Sequence, residues 1–207
     1  MGARVPVTRA EGPGARYALW LQGCSIRCPG CCNPHLFEPS GGERVRAAVL
    51  LAEMRAVSDE IEGLTVLGGE PFDQAEALRP VLRGARALGL SVIVFSGFTL
   101  EELRARPEVA VGDVLRTIDV LVDGRYDASR PETERRWAGS TNQVFHYFTD
   151  RYSPAIERPG PGEPLRSVEI RLGVDGRLSA NGWPAALSVP IRPGTDRTPP
   201  ASRSRSR

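Results

Sequence analysis

The chain has 207 residues, enough for one domain with a single hydrophobic core. Its hydrophobic content of 41% and charged content of 25% are ordinary for a soluble globular protein, and a net charge of +2 gives no argument for binding nucleic acid or an anionic membrane. No apolar stretch is long enough to span a membrane. Residues 1–10 lack the apolar core of a secretory signal, so we expect a cytoplasmic, reducing location.

The first segments lead into a loop that contains all four cysteines. Residues 1–16 are rich in proline and glycine and are predicted to be a lead-in with a tight turn. Residues 17–22 form a short apolar run, which predicts a buried strand. The cysteines follow at once, so their loop is predicted to lie at the carboxyl end of that strand, where parallel α/β folds place their chemistry.

The cysteines lie within nine consecutive residues. Cys24, Cys28 and Cys31 have the spacing C-x3-C-x2-C, and the glycines and proline around them predict an irregular loop. Three thiolates on one loop can each bind one iron of a [4Fe–4S] cluster, because cluster irons are held by cysteine thiolates. The fourth iron would then have no protein ligand and could bind a small molecule. Cys32 is predicted to lie outside the cluster, because adjacent side chains diverge.

Three other interpretations of the cysteines stay open. On a helix, positions 24, 28 and 31 would share one buried face, although the proline and glycines argue against a helix. A zinc ion could be bound by the three cysteines with Cys32 or His35, although structural zinc sites more often use two separated ligand pairs. Disulfides could form, but cysteines this close together cannot join distant segments.

Strands and helices are predicted to alternate after this loop. The spacing of apolar residues predicts helices over residues 43–57 and 74–88, the second of which contains Pro80. Thr99 and Glu102 have the spacing of a capping box at a helix start. Apolar and β-branched runs predict strands over residues 64–67, 91–95 and 118–122.

Each of these strands ends in glycine or polar residues. The ends are Gly68-Gly69-Glu70-Pro71, Ser96-Gly97-Phe98 and Asp123-Gly124-Arg125. Such alternation is typical of a parallel sheet with helical crossovers and a functional edge at the carboxyl ends of the strands. Four to six strand–helix units are too few to close an ordinary eight-stranded barrel. We therefore expect an α/β fold built as an open, partial β/α barrel.

The rest of the chain is predicted to be organised differently. Residues 126–143 are polar and predict a loop over the site, and residues 144–148 predict one more strand. Residues 158–166 have the composition of a linker, residues 167–183 carry a hairpin signal with an Asp-Gly turn, and residues 193–207 have the composition of a disordered tail. The predicted division is 1–157 for the main domain, 158–192 for the linker and hairpin, and 193–207 for the tail.

Several of these motifs resemble one family. The cysteine loop resembles the signature of radical S-adenosylmethionine (SAM) enzymes, and residues 11–16 resemble the acidic-GPG-x-R stretch of glycyl-radical-enzyme activating enzymes. Residues 19–34 and 137–143 are similar to the anaerobic ribonucleotide reductase activating proteins. The resemblance extends over roughly residues 5–150, and it also implies the partial barrel of the radical SAM type.

The resemblance implies an activity and its cofactors. The open iron of the cluster would bind SAM, and an electron from the cluster would cleave SAM to a 5′-deoxyadenosyl radical. The radical would abstract hydrogen from a glycine of a partner glycyl-radical enzyme. An external one-electron donor of the flavodoxin or ferredoxin type is implied as well. No general base is needed, and His35 and His146 are isolated.

The resemblance also implies SAM-binding residues at the strand ends. The Gly68-Gly69-Glu70 turn matches the motif that engages the SAM amino group, a role that suits close backbone approach and a carboxylate. Ser96 corresponds to a segment near the ribose. Asp123 and Arg125 correspond to a pair that holds the SAM amino acid, although Asp-Gly is equally typical of a plain turn. The full predicted set is Gly30, Asn33, Gly68, Gly69, Glu70, Ser96, Asp123 and Arg125.

Two alternative functions stay open at this point. One is a radical SAM enzyme that modifies a peptide or a small metabolite. The other belongs to a different class, a zinc-binding interaction module without catalytic activity. Cluster formation and release of 5′-deoxyadenosine from SAM would separate the second alternative from the first and from the activating enzyme.

Overall fold

The computed structural model describes residues 1–173, 176 and 178–182. Its main feature is a six-stranded sheet whose strand order follows the chain order. The strands are β1 (Ala3–Thr8), β2 (Arg16–Leu21), β3 (Gly63–Gly68), β4 (Ser91–Phe95), β5 (Val120–Asp123) and β6 (Val144–Tyr147). Strands β2 to β5 are parallel, and the edge strands β1 and β6 are antiparallel to their neighbours. The sheet is therefore mixed, with parallel pairing among its four central strands.

Helices connect the parallel strands and cover one face of the sheet. They are α1 (Ala47–Ala56), α2 (Ala75–Ala87), α3 (Leu100–Ala105) and α4 (Val109–Thr117). The main core forms between this layer and alternate strand residues such as Leu19, Leu64 and Val92, all of them buried. On the opposite face, smaller apolar clusters form around Trp20 and Ile93. Burial on both faces explains why these strands are almost continuously apolar.

Two elements differ from the sequence prediction. Residues 3–8 form an edge strand instead of a plain lead-in, and Pro6 lies where the register of β1 against β2 shifts. Proline is accepted in an edge strand because no neighbouring strand needs its missing N–H. In the sequence, however, Pro6 favoured a turn over a strand. Helix α4 was not predicted, although Val111 and Val114 are buried on its inner side. The capping box of Thr99 and Glu102 is confirmed.

A two-stranded antiparallel sheet, β7 (Val168–Leu172) with β8 (Leu178–Gly182), confirms the predicted hairpin. Residues 174, 175 and 177 of its turn lie outside the described part of the chain, as does the predicted tail. Asn181 attaches the hairpin to the end of β1, donating to Thr8 Oγ1 at 2.9 Å. This is the end of the sheet where the parallel strands begin. The described helices are all too short or too polar to cross a lipid bilayer.

Candidate metal centre

The cysteine loop leaves β2 at the carboxyl edge of the sheet, as predicted. Two backbone hydrogen bonds fix its start, from Gly23 N–H to the Leu36 carbonyl at 2.8 Å and from Cys24 N–H to the Phe37 carbonyl at 3.1 Å. Arg27 and Gly30 have positive φ angles of 52° and 76°. The loop is irregular throughout, so the interpretation that buried the cysteines on a helix is wrong.

All four cysteines are free thiols, so the disulfide interpretation is not realised. Cys24, Cys28 and Cys31 are partly buried, whereas Cys32 is exposed. The sulfur of Cys31 accepts a hydrogen bond from the backbone N–H of Asn33 at 3.4 Å. Asn33 thus lies beside a predicted ligand and contacts it through its backbone.

The thiols have different affinities for protons. A hydrogen bond from the Cys32 thiol lowers the pKa of Cys31 to about 6, and the same contact raises the pKa of Cys32. Burial raises the pKa of Cys28, and a hydrogen bond from the backbone of Tyr126 opposes that increase. Since the thiolate is the form that binds metal, Cys31 is the side chain of this pair that is prepared to bind iron.

The loop also bears on the zinc interpretation. Sulfurs bound to one zinc ion would lie about 4 Å apart, because each is about 2.3 Å from the metal. Within the described part of the chain, no three His, Cys, Asp or Glu side chains are arranged to hold a single metal ion. In a cluster each thiolate binds a different iron, so the cluster interpretation requires no such close arrangement. The three free, partly accessible sulfurs on one irregular loop fit a cluster.

The turn after β3 packs directly against the start of the cysteine loop. Gly69 N–H donates to the Leu21 carbonyl and Glu70 N–H donates to the Gly23 carbonyl, both at 2.8 Å. A Cβ atom on Gly69 would lie 2.0 Å from the Gly23 oxygen, and Gly68 has a positive φ of 109°. Only glycine fits this close approach of two backbones. The structure thereby brings the Gly68-Gly69 turn and the cysteine loop together.

Glu70 is completely buried, with 1% of its surface exposed. Its carboxylate accepts hydrogen bonds from Phe72 N–H at 2.9 Å, from the Ser96 hydroxyl at 2.9 Å and from Gly97 N–H at 2.8 Å. Burial raises its pKa to about 7. The side chain therefore joins the ends of β3 and β4, and both of its oxygens already face protein donors. Its contact with the SAM amino group stays a prediction.

Asp123 and Arg125 lie at the end of β5 but face different partners. Asp123 is buried, accepts a hydrogen bond from Leu100 N–H at the start of α3, and lies 2.9 Å from His146 Nε2. Arg125 is half-exposed and pairs with Glu102 at 2.9 Å. The guanidinium of Arg125 is therefore the member of the pair that a ligand can reach, and Asp123 joins three elements of the fold.

A cavity of about 380 Å³ lies between the cysteine loop and the chain that follows β5. Its walls are Ile26, Cys28, Pro29, Arg125, Tyr126, Asp127, Ala128 and Ser129. Gly30 belongs to the same boundary, since a Cβ atom on it would lie 3.2 Å from the Cβ of Ala128. The cavity therefore borders one predicted cluster ligand and one predicted SAM-binding residue.

Asp73 is a residue of the site that the sequence analysis missed. Its carboxylate accepts hydrogen bonds from Ser25 N–H at 2.8 Å and from the Ser25 hydroxyl at 2.9 Å, directly after Cys24. Gln74 adds a hydrogen bond to the Gln22 carbonyl at 2.7 Å. Both residues follow Glu70 within one turn of a 3-10 helix. Polar residues immediately after a strand-end motif were the available signal.

The acidic-GPG-x-R stretch lies at the opposite edge of the sheet. Arg16 is fully buried at the beginning of β2 and donates to Thr65 Oγ1 at 2.5 Å, to Ser91 Oγ at 3.1 Å and to Tyr152 Oη at 3.1 Å. These contacts join β2, β3 and β4 where they start. Arg16 of the motif therefore stabilises the start of the sheet.

Comparison with known proteins defines the class. A family model described as a 4Fe-4S single cluster domain matches residues 10–146. The chain accordingly belongs to the class of single-cluster iron–sulfur proteins, and the cysteine loop stays its predicted metal centre.

Relatives identify the particular family. Anaerobic ribonucleoside-triphosphate reductase-activating proteins of Vibrio cholerae and Escherichia coli K12 are each 31% identical to this chain, over 70% and 69% of it and over 95% of their own length. The protein of that name from Enterobacteria phage T4 is 27% identical over 70% of this chain and 92% of its own length. The chain belongs to the family of anaerobic ribonucleoside-triphosphate reductase-activating proteins. This membership confirms the family inferred from the motifs, with a [4Fe–4S] cluster and SAM as its cofactors.

Proposed function

We propose that this chain activates an anaerobic ribonucleotide reductase by abstracting hydrogen from a glycine of that partner enzyme. One observation carries the proposal. The C-x3-C-x2-C loop packs against a Gly-Gly-Glu turn at the carboxyl edge of a parallel sheet, in a chain that matches activating proteins over 95% of their length. The match to activating proteins favours this function over the peptide- or metabolite-modifying alternative and over the zinc module.

The residues of the chain have distinct roles in this proposal. When bound, the cluster and SAM supply the electron and the 5′-deoxyadenosyl radical that abstracts hydrogen. Cys24, Cys28 and Cys31 would hold the cluster. The Gly68-Gly69 turn, which admits no side chain, packs against the start of the cysteine loop and would place SAM beside the cluster. Arg125 would bind the SAM carboxylate, because it is half-exposed and borders the cavity beside Cys28.

We further propose that the sheet is the partial barrel of the radical SAM type. Four parallel strands in chain order support this, as does the position of the cysteine loop at their carboxyl edge. The exposed residues Pro29 and Gly30 at the cavity would let a loop of the partner enzyme reach the site. A flavodoxin- or ferredoxin-type donor supplies the electron, and a reducing, cytoplasmic location keeps the thiols free.

The function is tested by reconstituting the protein with iron and sulfide without air. The wild-type protein should bind one [4Fe–4S] cluster, show its EPR signal on reduction, and release 5′-deoxyadenosine from SAM. Cys28→Ala should lose both properties, because one iron loses its ligand. Cys32→Ser is the matched control, since it keeps a donor beside Cys31 and should retain the cluster.

A second stage tests the partner. Incubation of the loaded protein and SAM with an anaerobic ribonucleotide reductase should produce a glycyl radical, detected by EPR. A colourless wild-type protein that retains zinc under these conditions would contradict the proposed function. A protein that cleaves SAM but forms no glycyl radical on the reductase would overturn the choice of partner alone.

A further inference from the structure

The segment 139–143 belongs to a motif whose sequence resembles the family but has no role in the proposed function. We call it the latch segment. It lies between β5 and β6 and packs against residues 124–129, which follow β5 and form a wall of the cavity. We call that stretch the cover loop. Neither stretch contains a helix or a strand of the sheet, and side-chain hydrogen bonds connect the two.

Three latch side chains form hydrogen bonds with backbone groups of the cover loop. Gln143 Nε2 donates to the Gly124 carbonyl at 3.1 Å, and Asn142 Nδ2 donates to the Arg125 carbonyl at 2.8 Å. The hydroxyl of Ser140, which is fully buried, accepts from Asp127 N–H at 3.1 Å. The hydrogen bonds fall on Gly124, Arg125 and Asp127, so the latch holds the cover loop on both sides of Tyr126.

The latch is itself held in shape by Gln143. Its Oε1 atom accepts from Gly139 N–H at 2.6 Å and from Ser140 N–H at 3.2 Å. One amide side chain therefore both closes the latch and connects it to the cover loop. Substitution of Gln143 can separate these two functions, because the carboxamide oxygen bonds within the latch and the nitrogen bonds to the cover loop.

The other side of the cover loop touches the cysteine loop. The backbone of Tyr126 lies close enough to the Cys28 sulfur to lower the pKa of that thiol, and the two residues line the same cavity. Ala128 lies against Gly30, where an added Cβ would come within 3.2 Å. Hydrogen bonds to the ligand sulfurs are among the factors that set the reduction potential of an iron–sulfur cluster.

We propose that the latch segment positions the cover loop against Cys28 and thereby tunes the reduction potential of the cluster. This inference rests on the proposed function only in requiring that the cluster is bound. The latch residues touch neither the cluster ligands nor the cavity, so they are positioning residues. When their hydrogen bonds are lost, the Tyr126 backbone withdraws from the sulfur, the reduced cluster loses stabilisation, and the potential becomes more negative.

The test uses Gln143→Glu, Gln143→Ala and Asn142→Ala in the full-length reconstituted protein. Gln143→Glu keeps the oxygen that serves the latch but places a second oxygen opposite the Gly124 carbonyl, so the connection to the cover loop is lost. All three variants should show a midpoint potential more negative than wild type in an EPR-monitored redox titration. They should also release iron to a chelator about tenfold faster, the scale typical of lost outer contacts at metal sites.

Thr141→Ala is the matched control, because Thr141 lies within the latch with an exposed side chain and should keep both wild-type values. Thermal unfolding of each variant separates a shifted loop from a misfolded chain. If the Gln143 variants do not fold, Asn142→Ala decides the result, because it spares the hydrogen bonds inside the latch. Wild-type potentials in the folded variants would overturn this inference, whereas a wild-type protein without a cluster would overturn the proposed function instead.

Discussion

At each edge of the sheet, one buried side chain joins the ends of neighbouring strands through hydrogen bonds. At the carboxyl edge, the carboxylate of Glu70 receives three hydrogen bonds from the ends of β3 and β4. At the amino edge, the guanidinium of Arg16 gives hydrogen bonds to Thr65 and Ser91 on the next two strands. Both groups are completely buried, so each must have its hydrogen bonds satisfied within the protein.

The buried carboxyl of Glu70 should make stability depend on pH. Its pKa is raised from 4.5 to about 7, so the folded state binds this proton more tightly than the unfolded state. The stabilising contribution is complete below the unfolded value and is lost as the pH rises through about 7. Between pH 5 and pH 8, the free energy of unfolding of the wild type should fall by about 2.5 kcal/mol relative to Glu70→Gln.

Urea unfolding of the metal-free protein and the variant at both pH values measures this difference. Glu70→Gln loses an acceptor at either pH, so its absolute stability is lower, but only the pH dependence reports on the proton. Glu60→Gln, which removes an exposed carboxylate, is the matched control and should preserve the wild-type slope. Parallel pH curves for wild type and Glu70→Gln would show that the group is ionised when buried.

Helix α2 contains an internal proline and is nevertheless continuous, because its apolar side packs into the core. It is continuous from Ala75 to Ala87 although Pro80 lies inside it, and Leu78, Val81, Leu82 and Ala85 are buried on its inner side. Proline at this position removes a hydrogen bond and crowds the preceding turn. The apolar side of the helix is therefore strong enough to maintain the helix across the proline.

Replacing the proline inside α2 should stabilise the protein. Pro80 is exposed, so Pro80→Ala should restore the helical hydrogen bond without disturbing the core, raising the free energy of unfolding by about 1–3 kcal/mol. Urea unfolding measures the gain. Pro154 is the matched control, because it starts a 3-10 helix where a fixed φ suits the backbone. Equal gains at both positions would show that the effect belongs to proline in general and not to the helix interior.

In the whole molecule, the predicted metal centre and the C-terminal hairpin lie at opposite ends of the parallel strands. The cysteine loop lies at the carboxyl edge of the sheet, whereas the hairpin of β7 and β8 is attached at the amino edge, next to Thr8 and Glu11. The side of the hairpin that contacts the main sheet carries polar side chains such as Asn181. Its outer side carries exposed apolar residues, namely Ile170, Leu172 and Leu178.

This separation predicts that the hairpin can be loosened without affecting the metal centre. Asn181→Ala removes the hydrogen bonds to Thr8 and to Glu11, at a cost of about 1–3 kcal/mol for the buried partners left behind. Limited proteolysis should cut the variant faster near residues 158–182, and its cluster content after reconstitution should equal that of wild type. Ser179→Ala, at an exposed position of the same strand, is the control. A loss of bound iron in Asn181→Ala would contradict the independence of the two edges.

The sequence by itself determined the features that are contiguous in the chain. The spacing of Cys24, Cys28 and Cys31, the strand runs and the capping box at Thr99 depend on neighbouring residues, so local chemistry is sufficient to predict them. The same is true of the hairpin, whose strands are adjacent in sequence. For the same reason the parallel order of the sheet followed from the alternation of strands and helices.

Only the tertiary structure decided which distant groups meet. It assigned Arg16 to the amino edge, directed both oxygens of Glu70 at protein donors, separated the partners of Asp123 from those of Arg125, and connected Gln143 to the chain after β5. A polar side chain bonds with whatever the fold places within about 3 Å of it, and residue order does not specify that distance. The motifs therefore predicted the kind of chemistry, and the packing of the sheet edges decided which side chains support it.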